Sequence, residues 1–362
     1  MEIDIDDAIR RSDLIFIDVR APGEYAFASI PGAVNIPLFD DREHRQLGII
    51  FRQLGESEAR RVALDFVLPK LPFLITQIEK SCGGKLPLLY CRRGGLRSLS
   101  LYQVLTLGGI PAMRLKKGYK AYRQYVNERL AGFTMSSRLF VLHGLTGVGK
   151  TAVLKILGDK GMPVIDLEEL ARHRGSVFGN LGLDAPRSQK DFDALLLKEL
   201  DQLSHEPSIF IEGEGHRIGN VYLPRFLTEA MDQGKQILLT APLEIRVQRI
   251  LDIYSPLLMP GNRIIQIRDA LRSLENRMGS NKVELLLKML DNREYGNLAR
   301  MLCTDYYDHF YHDSRPEYSR FDLLIDATDL NQTAGNIIDY NNSFYRKETA
   351  YDESLRCRSQ SG

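Results

Sequence analysis

The sequence predicts an α/β fold of mainly parallel sheets, and three observations carry that expectation. Short apolar runs of strand length alternate with segments of helical periodicity from the first residues onward, the rhythm of β–loop–α units. The rhythm runs twice, on either side of a polar, small-residue stretch, "NERLAGFTMSSR", at 127–138. The chain has 362 residues, enough for two domains.

In the first series "LIFIDV" (14–19) reads as a strand, and "LPLLYC" (86–91) reads as a second that ends on a cysteine. "GLRSLSLYQVLTLGG" (95–109) has helical spacing and stops on glycines, which favour helix ends. "AMRLKKG" (112–118) is a further short strand. The second series offers strands at 138–144, 163–167, 208–214, 236–242 and 322–328. Leu, Arg and Met recur at helical spacing through 245–312, which reads as all-helical. The expected domains are therefore 1–130 and 138–345, the second carrying the helical segment, with 127–138 as a linker. The polar tail from 347 is expected to fray.

A formal net charge of +1 supplies no global attraction for nucleic acid, so any such binding must come from a local patch. The four cysteines, Cys82, Cys91, Cys303 and Cys357, are widely spaced, which signals neither a zinc site nor a disulfide framework. The acidic start, "MEIDIDDAIRRSDLIF", lacks the features of a signal peptide, and no apolar run has membrane-spanning length. The expectation is a cytoplasmic protein without a membrane partner, in a compartment where a free thiolate persists.

In "YCRRGGLRS" Cys91 ends a strand, Gly94 and Gly95 follow, and Arg97 begins a helix. Backbone N–H groups and a helix N-terminus then converge on one spot, which favours an anion and lowers a thiol pKa. Arg92, Arg93 and Arg97 add positive charge, so Cys91 is the candidate nucleophile of an anion-binding loop. Together with "FIDVRAPGEYAFASIPGAVNIPL" (16–38), this loop resembles the rhodanese domain. The resemblance implies that Asp18 and Arg20 support the fold and that the cysteine carries a sulfane sulfur. The Cys91-to-Arg97 spacing is one residue longer than in ordinary single-domain rhodaneses and equals that of cysteine phosphatases, which leaves the anion open.

"LFVLHGLTGVGKTAVL" (139–154) holds the G-x-x-x-x-G-K-[ST] pattern of a phosphate-binding P-loop. Gly144, Gly147 and Gly149 let backbone amides approach a diphosphate, Lys150 reaches a terminal phosphate, and Thr151 is placed to hold Mg²⁺. ATP hydrolysis would also require a metal-holding acid and a water-positioning group. Glu212 and Glu214 stand where an aspartate is usual, and Asp166 and Glu168 close another strand. His173, Arg174 and Ser176 follow in a glycine-bearing loop, so these residues are candidates for metal or substrate contact.

Between the two loops lies "AMRLKKGYKAYRQY" (112–125). Arg114, Lys116, Lys117, Lys120 and Arg123 can neutralise a phosphate backbone. Tyr119, Tyr122 and Tyr125 fall on one helical stripe, either packed on the sheet or stacked on bases.

The combination of "KKGYKAYR", the P-loop, "VIDLEELARHRGSVFG", "IEGEGHRIGNVYLP" and "DYYDHFY" resembles the tRNA 2-selenouridine synthase family over about residues 10 to 330. The resemblance implies an N-terminal rhodanese-like domain followed by a P-loop NTPase-like α/β domain with a helical insertion. It implies a tRNA partner carrying 2-thiouridine in its anticodon, with selenophosphate and geranyl diphosphate as co-substrates, Mg²⁺ as a candidate and no clear need for ATP. One alternative is an ATP-dependent sulfurtransferase fused to a P-loop kinase. Others are a nucleotide-gated scaffold with an inert rhodanese fold, and a phosphatase on the strength of the cysteine–arginine spacing.

Overall fold

The computed structural model describes residues 1–254, 263–309 and 321–359, with side chains described as far as 345. The end of "DYYDHFY", the close of the segment 245–312 and the side chains of the tail therefore lie outside the described residues. Two compact units emerge: Met1–Phe133 with Arg187–Asp201, and Thr134–Pro186 with Gln202–Gly362.

In the first unit, β1 (Glu2–Ile3), β2 (Leu14–Asp18), β3 (Val34–Asn35), β4 (Leu86–Tyr90) and β5 (Met113–Leu115) form one sheet, ordered β1-β5-β4-β2-β3. Every pairing in it is parallel. β4 is the middle strand, and Leu88, Leu89 and Tyr90 are fully buried, as expected of a parallel strand covered on both faces. The helix Leu96–Leu107 starts directly after the cysteine loop and sends Leu101 and Leu105 into the core. β1 and β3 have two residues each, too few for a periodic signal.

The helix Gly118–Ala131 runs into the stretch expected as a linker, so only residues 132–137 are irregular there. Val126 and Leu130 are buried on the same face as Tyr119 and Tyr122, and this continued apolar stripe draws the helix past the polar residues. The helix Gln189–Gln202, from the middle of the chain, also packs in this unit: Arg123 pairs with Asp193 at 2.5 Å and Arg129 with Asp201 at 2.5 Å.

In the second unit, β6 (Arg138–His143), β7 (Val164–Ile165), β8 (Ser208–Glu212), β11 (Lys235–Thr240) and β12 (Leu323–Asp326) form a parallel sheet ordered β12-β11-β6-β8-β7. A small antiparallel ribbon, β9 (Arg217–Ile218) with β10 (Val221–Tyr222), stands apart from it. β6 is the middle strand and is buried from Leu139 to Leu142. The helix Lys150–Asp159 follows it and packs Val153, Leu154 and Leu157 under the sheet. Beyond β11 come the helices Leu243–Tyr254, Arg263–Arg272, Glu275–Met278, Ser280–Asp291 and Tyr295–Leu302. They enclose a core of their own around Leu271, Leu286 and Leu290. The last described element is a helix from Leu330 to Ser359, so the described backbone of the tail is helical where fraying was expected.

Candidate functional sites

At the end of β4 the Cys91 thiol is 3% exposed and lies 3.3 Å from the Ser98 hydroxyl. Burial pushes the thiol pKa up. The Ser98 hydroxyl, the Ser98 and Arg93 amides and the Arg97 charge outweigh that, and the net pKa is lower than usual for a thiol. The loop backbone is fixed from outside. Tyr119 and Lys120 N–H donate to the Cys91 and Arg92 carbonyls at 2.8 and 3.0 Å. Gly118 makes this approach feasible, since a Cβ there would sit 2.1 Å from the Cys91 carbonyl oxygen, at a φ of +56°.

Arg92 and Arg93 are exposed and Gly94 and Gly95 complete the turn, while Arg97 is drawn aside into an ion pair with Glu24 at 2.5 Å. Arg20 is buried against Asp18 at 2.6 Å, donates to the Ala28 carbonyl and stacks over the Tyr119 ring at 4.1 Å. The strand end, the cysteine loop and the following helix thereby become one rigid piece.

The basic patch divides. Arg114 is buried, pairs with Glu2 and donates to the Gly94 carbonyl at 3.1 Å, so it braces the cysteine loop and has no face to offer a nucleic-acid backbone. Lys116 pairs with Asp4 at 2.7 Å, and Arg123 with Asp193. Lys117 and Lys120 are exposed and form no ion pair among the described residues. Tyr119 and Tyr122 are buried, which settles the tyrosine stripe as packing for those two.

In the second unit the P-loop leaves β6 with Gly144, Gly147 and Gly149 at positive φ. Lys150 Nζ donates to the Gly144 carbonyl at 3.1 Å, and Thr151 Oγ1 donates to Glu168 Oε2 at 3.1 Å. Two arginines hold the loop by its carbonyls, a grip that sequence reasoning did not find. Arg246 Nε reaches the Thr146 carbonyl at 2.9 Å while its other nitrogens pair with Asp308, and Arg249 Nη1 reaches the Val148 carbonyl at 2.6 Å. Their signal was present: two arginines three apart on one helix face in "EIRVQRI".

Carboxylates surround this loop. Burial, then the neighbouring Glu214, pushes Glu168 up to about 7. Burial also raises Glu214, despite Lys150. Glu212 is fully buried, and burial and then Asp166 hold it well above the usual carboxylate range. Its Oε2 accepts from the Leu167 amide at 2.9 Å, while Oε1 has no partner among the described atoms. Asp166 caps the short helix Leu167–Ala171. Among the described residues no group of three or more His, Cys, Asp or Glu is arranged to hold a metal ion.

A cavity of about 600 Å³ opens beside the P-loop, within the size range of small-molecule sites. Gly147, Gly149, Lys150, Thr151, Glu168 and Glu214 line it on the loop side, with Arg174 and Ser176. Asp166, His173 and Glu212 do not line it; the His173 ring instead fills the space above Gly179 and Gly219. Away from the loop the walls are apolar, formed by Phe178, Ile267, Leu290, Leu298, Leu302 and Tyr306, among others. The quoted stretches "HRGSVFG" and "DYYDHFY" supply Phe178, Tyr306 and Tyr307, but nothing in the sequence marked Ile267, Leu290, Leu298 and Leu302, which are ordinary apolar residues of separate helices.

Residues 4–125 match the family model described as the rhodanese-like domain, and residues 137–329 match that of the tRNA 2-selenouridine synthase AAA domain. The second match spans more than half of the chain. The chain belongs to the tRNA 2-selenouridine synthase family. A tRNA 2-selenouridine synthase of Hydrogenovibrio crunogenus is 34% identical over 82% of this chain and 87% of its own length. One from Nitrosomonas europaea is 34% identical over 78% of this chain and 74% of that protein. One from Cupriavidus necator is 33% identical over 83% and 88%. The family thus joins the two units that carry the cysteine loop and the P-loop. No helix among the described residues is long and apolar enough to cross a membrane.

Proposed function

We propose that the protein converts 2-thiouridine in tRNA to 2-selenouridine in two steps, each served by one of the two loops. The observation that carries this reading is the apolar chamber that opens from the P-loop. A nucleotide has a polar base and ribose beyond its phosphates. A prenyl diphosphate has only hydrocarbon, which is what these walls suit.

In the first step the thiouridine sulfur attacks C1 of geranyl diphosphate, the C–O bond breaks, and diphosphate leaves. Lys150 and the P-loop amides stabilise the charge that develops on the leaving group. Thr151, Glu168 and Glu214 suit Mg²⁺ held by few carboxylates plus phosphate oxygens and water, and such an ion would supply further positive charge there. Burial raises both carboxyls above the ordinary range, and a bound Mg²⁺ would favour their charged form.

In the second step the selenium of selenophosphate attacks C2 of the base, the C–S bond breaks and geranylthiolate leaves, and water then cleaves the Se–P bond to release phosphate; Cys91 is the nucleophile placed to engage the selenium donor. Its lowered pKa favours the thiolate, and the exposed Arg92 and Arg93 attract the anionic donor. Lys117 and Lys120, next to that loop, offer the tRNA backbone two cations not engaged in described ion pairs.

The test is to incubate the full chain with 2-thiouridine tRNA, selenophosphate and geranyl diphosphate, omitting each in turn, without ATP, and to read the nucleosides by mass spectrometry. Selenouridine that requires both co-substrates supports the reading. Sulfur transfer that requires ATP, with no selenium product, overturns it.

A further inference from the structure

We infer that Glu24 is a positioning residue that sets the anion affinity of the cysteine loop: it holds and neutralises Arg97, and the selenium donor must compete with it for the guanidinium. This rests on the proposed engagement of the donor at Cys91 and adds what limits how tightly the loop grips it.

The topology brings the two residues together. β2 and β4 are parallel neighbours, paired from Leu14 with Leu86 to Asp18 with Tyr90, so the segments that follow them leave on the same edge of the sheet. After β2 comes the helix Pro22–Phe27, with Glu24 in its first turn. After β4 come the cysteine loop and the helix Leu96–Leu107, with Arg97 in its first turn. Arg97 Nη1 donates to Glu24 Oε2 at 2.5 Å and Nη2 donates to Oε1 at 3.4 Å. The Ala21 N–H also donates to Oε2, at 3.3 Å, and His44 Nε2 lies 3.5 Å from the same oxygen.

The pair carries both charges. Burial alone would raise Glu24, but Arg97 and then His44 outweigh it and hold the carboxyl below its ordinary range. Arg97 precedes Ser98, whose hydroxyl lies 3.3 Å from the thiol, and the Arg97 charge is among those that lower the Cys91 pKa. The guanidinium is therefore within electrostatic reach of an anion at the thiol. Arg92 and Arg93 are exposed and screened by water, whereas the Arg97 side chain is only 19% exposed, so its charge is the least screened of the three. Glu24 offsets that charge. A bound anion must loosen the pair, so it is held less tightly than three unopposed arginines would hold it, and the phosphate left after transfer is released more readily.

Glu24→Gln removes the charge but keeps an oxygen to accept from Arg97 and from the Ala21 N–H, since Gln serves as well as Glu at this capping position. In the full chain, thiophosphate, a stable stand-in for selenophosphate, is titrated as a protectant of Cys91 against iodoacetamide, and the modified peptide is quantified by mass spectrometry across pH. Glu24→Gln should tighten protection by about five- to tenfold and lower the pH midpoint of alkylation. Arg97→Gln should do the reverse, and adding Glu24→Gln to Arg97→Gln should change little further. With selenophosphate and tRNA, Glu24→Gln should lower KM for selenophosphate by a similar factor without raising kcat. A carboxylate that merely braces the helix predicts weaker protection in Glu24→Gln. That result, or unchanged protection, overturns the role of Glu24 alone. A wild type in which thiophosphate does not protect Cys91 overturns the underlying assignment of the loop as well.

Discussion

The cysteine loop follows β4 and the P-loop follows β6, each the middle strand of a five-stranded parallel sheet, and each leads into a helix. Their surroundings differ in sign. Around Cys91 stand arginines and amide donors that lower its pKa. Around the P-loop stand Glu168, Glu212 and Glu214, raised by burial and by neighbouring carboxylates. They differ in shape too, since the thiol is closed in by Ser98 and by the start of the helix Gly118–Ala131, whereas the P-loop opens on a chamber. The same strand–loop–helix element can present a charged nucleophile or cradle a leaving group. The neighbours decide which, a lesson about placement more than about the loop itself.

The largest effect should come from removing the nucleophile. Cys91→Ala is expected to lower selenium incorporation by about a thousandfold or more while S-geranylation stays within about twofold, both read by nucleoside mass spectrometry. Equal loss of both products would erase the distinction between the loops.

The next tests strike the two frameworks. Arg20→Ala leaves Asp18 buried and unpaired, and Arg246→Ala strands Asp308 and the Thr146 carbonyl. Each should cost about 3–5 kcal/mol in denaturant unfolding. Losses under about 1 kcal/mol would show that the loops do not depend on these braces.

Glu168 sharpens the contrast in sign. A carboxyl raised to about 7 keeps its proton in the folded chain where the unfolded chain has lost it. Its contribution to stability is complete below the ordinary carboxylate pKa and disappears as pH rises through about 7. Glu168→Gln should flatten the decline of stability over that window, by about 1–3 kcal/mol in denaturant titrations at the two ends. An unchanged slope would mean that Glu168 titrates normally.

The smallest effect is expected at Ser98. Ser98→Ala removes the hydroxyl beside the thiol and should raise the Cys91 pKa by about one unit or less, read from the pH dependence of alkylation. A fall in that pKa would contradict the assigned cause.

Both loops were legible in the sequence because each is a local pattern: a strand, glycines and a cation within about ten residues. The parallel sheets were legible from β2, β4, β6 and β8, whose apolar runs are long enough to read. What escaped was non-local. The burial of Arg114 depends on Glu2, and the position of Arg97 on Glu24. The grip of Arg246 and Arg249 on the P-loop spans about a hundred residues of sequence. The leucine walls of the chamber carry no motif because their chemistry is that of any core leucine. The packing of the helix Gln189–Gln202 in the first unit was hidden for the same reason, since Asp193 and Asp201 show their partners only in three dimensions.

The most direct test of the division of labour is calorimetric titration of geranyl diphosphate into the full chain, Lys150→Ala and Cys91→Ala. The account predicts binding that Lys150→Ala weakens by about 10- to 100-fold and that Cys91→Ala leaves unchanged. Weakening by Cys91→Ala with no effect of Lys150→Ala would place the diphosphate at the cysteine loop and contradict it.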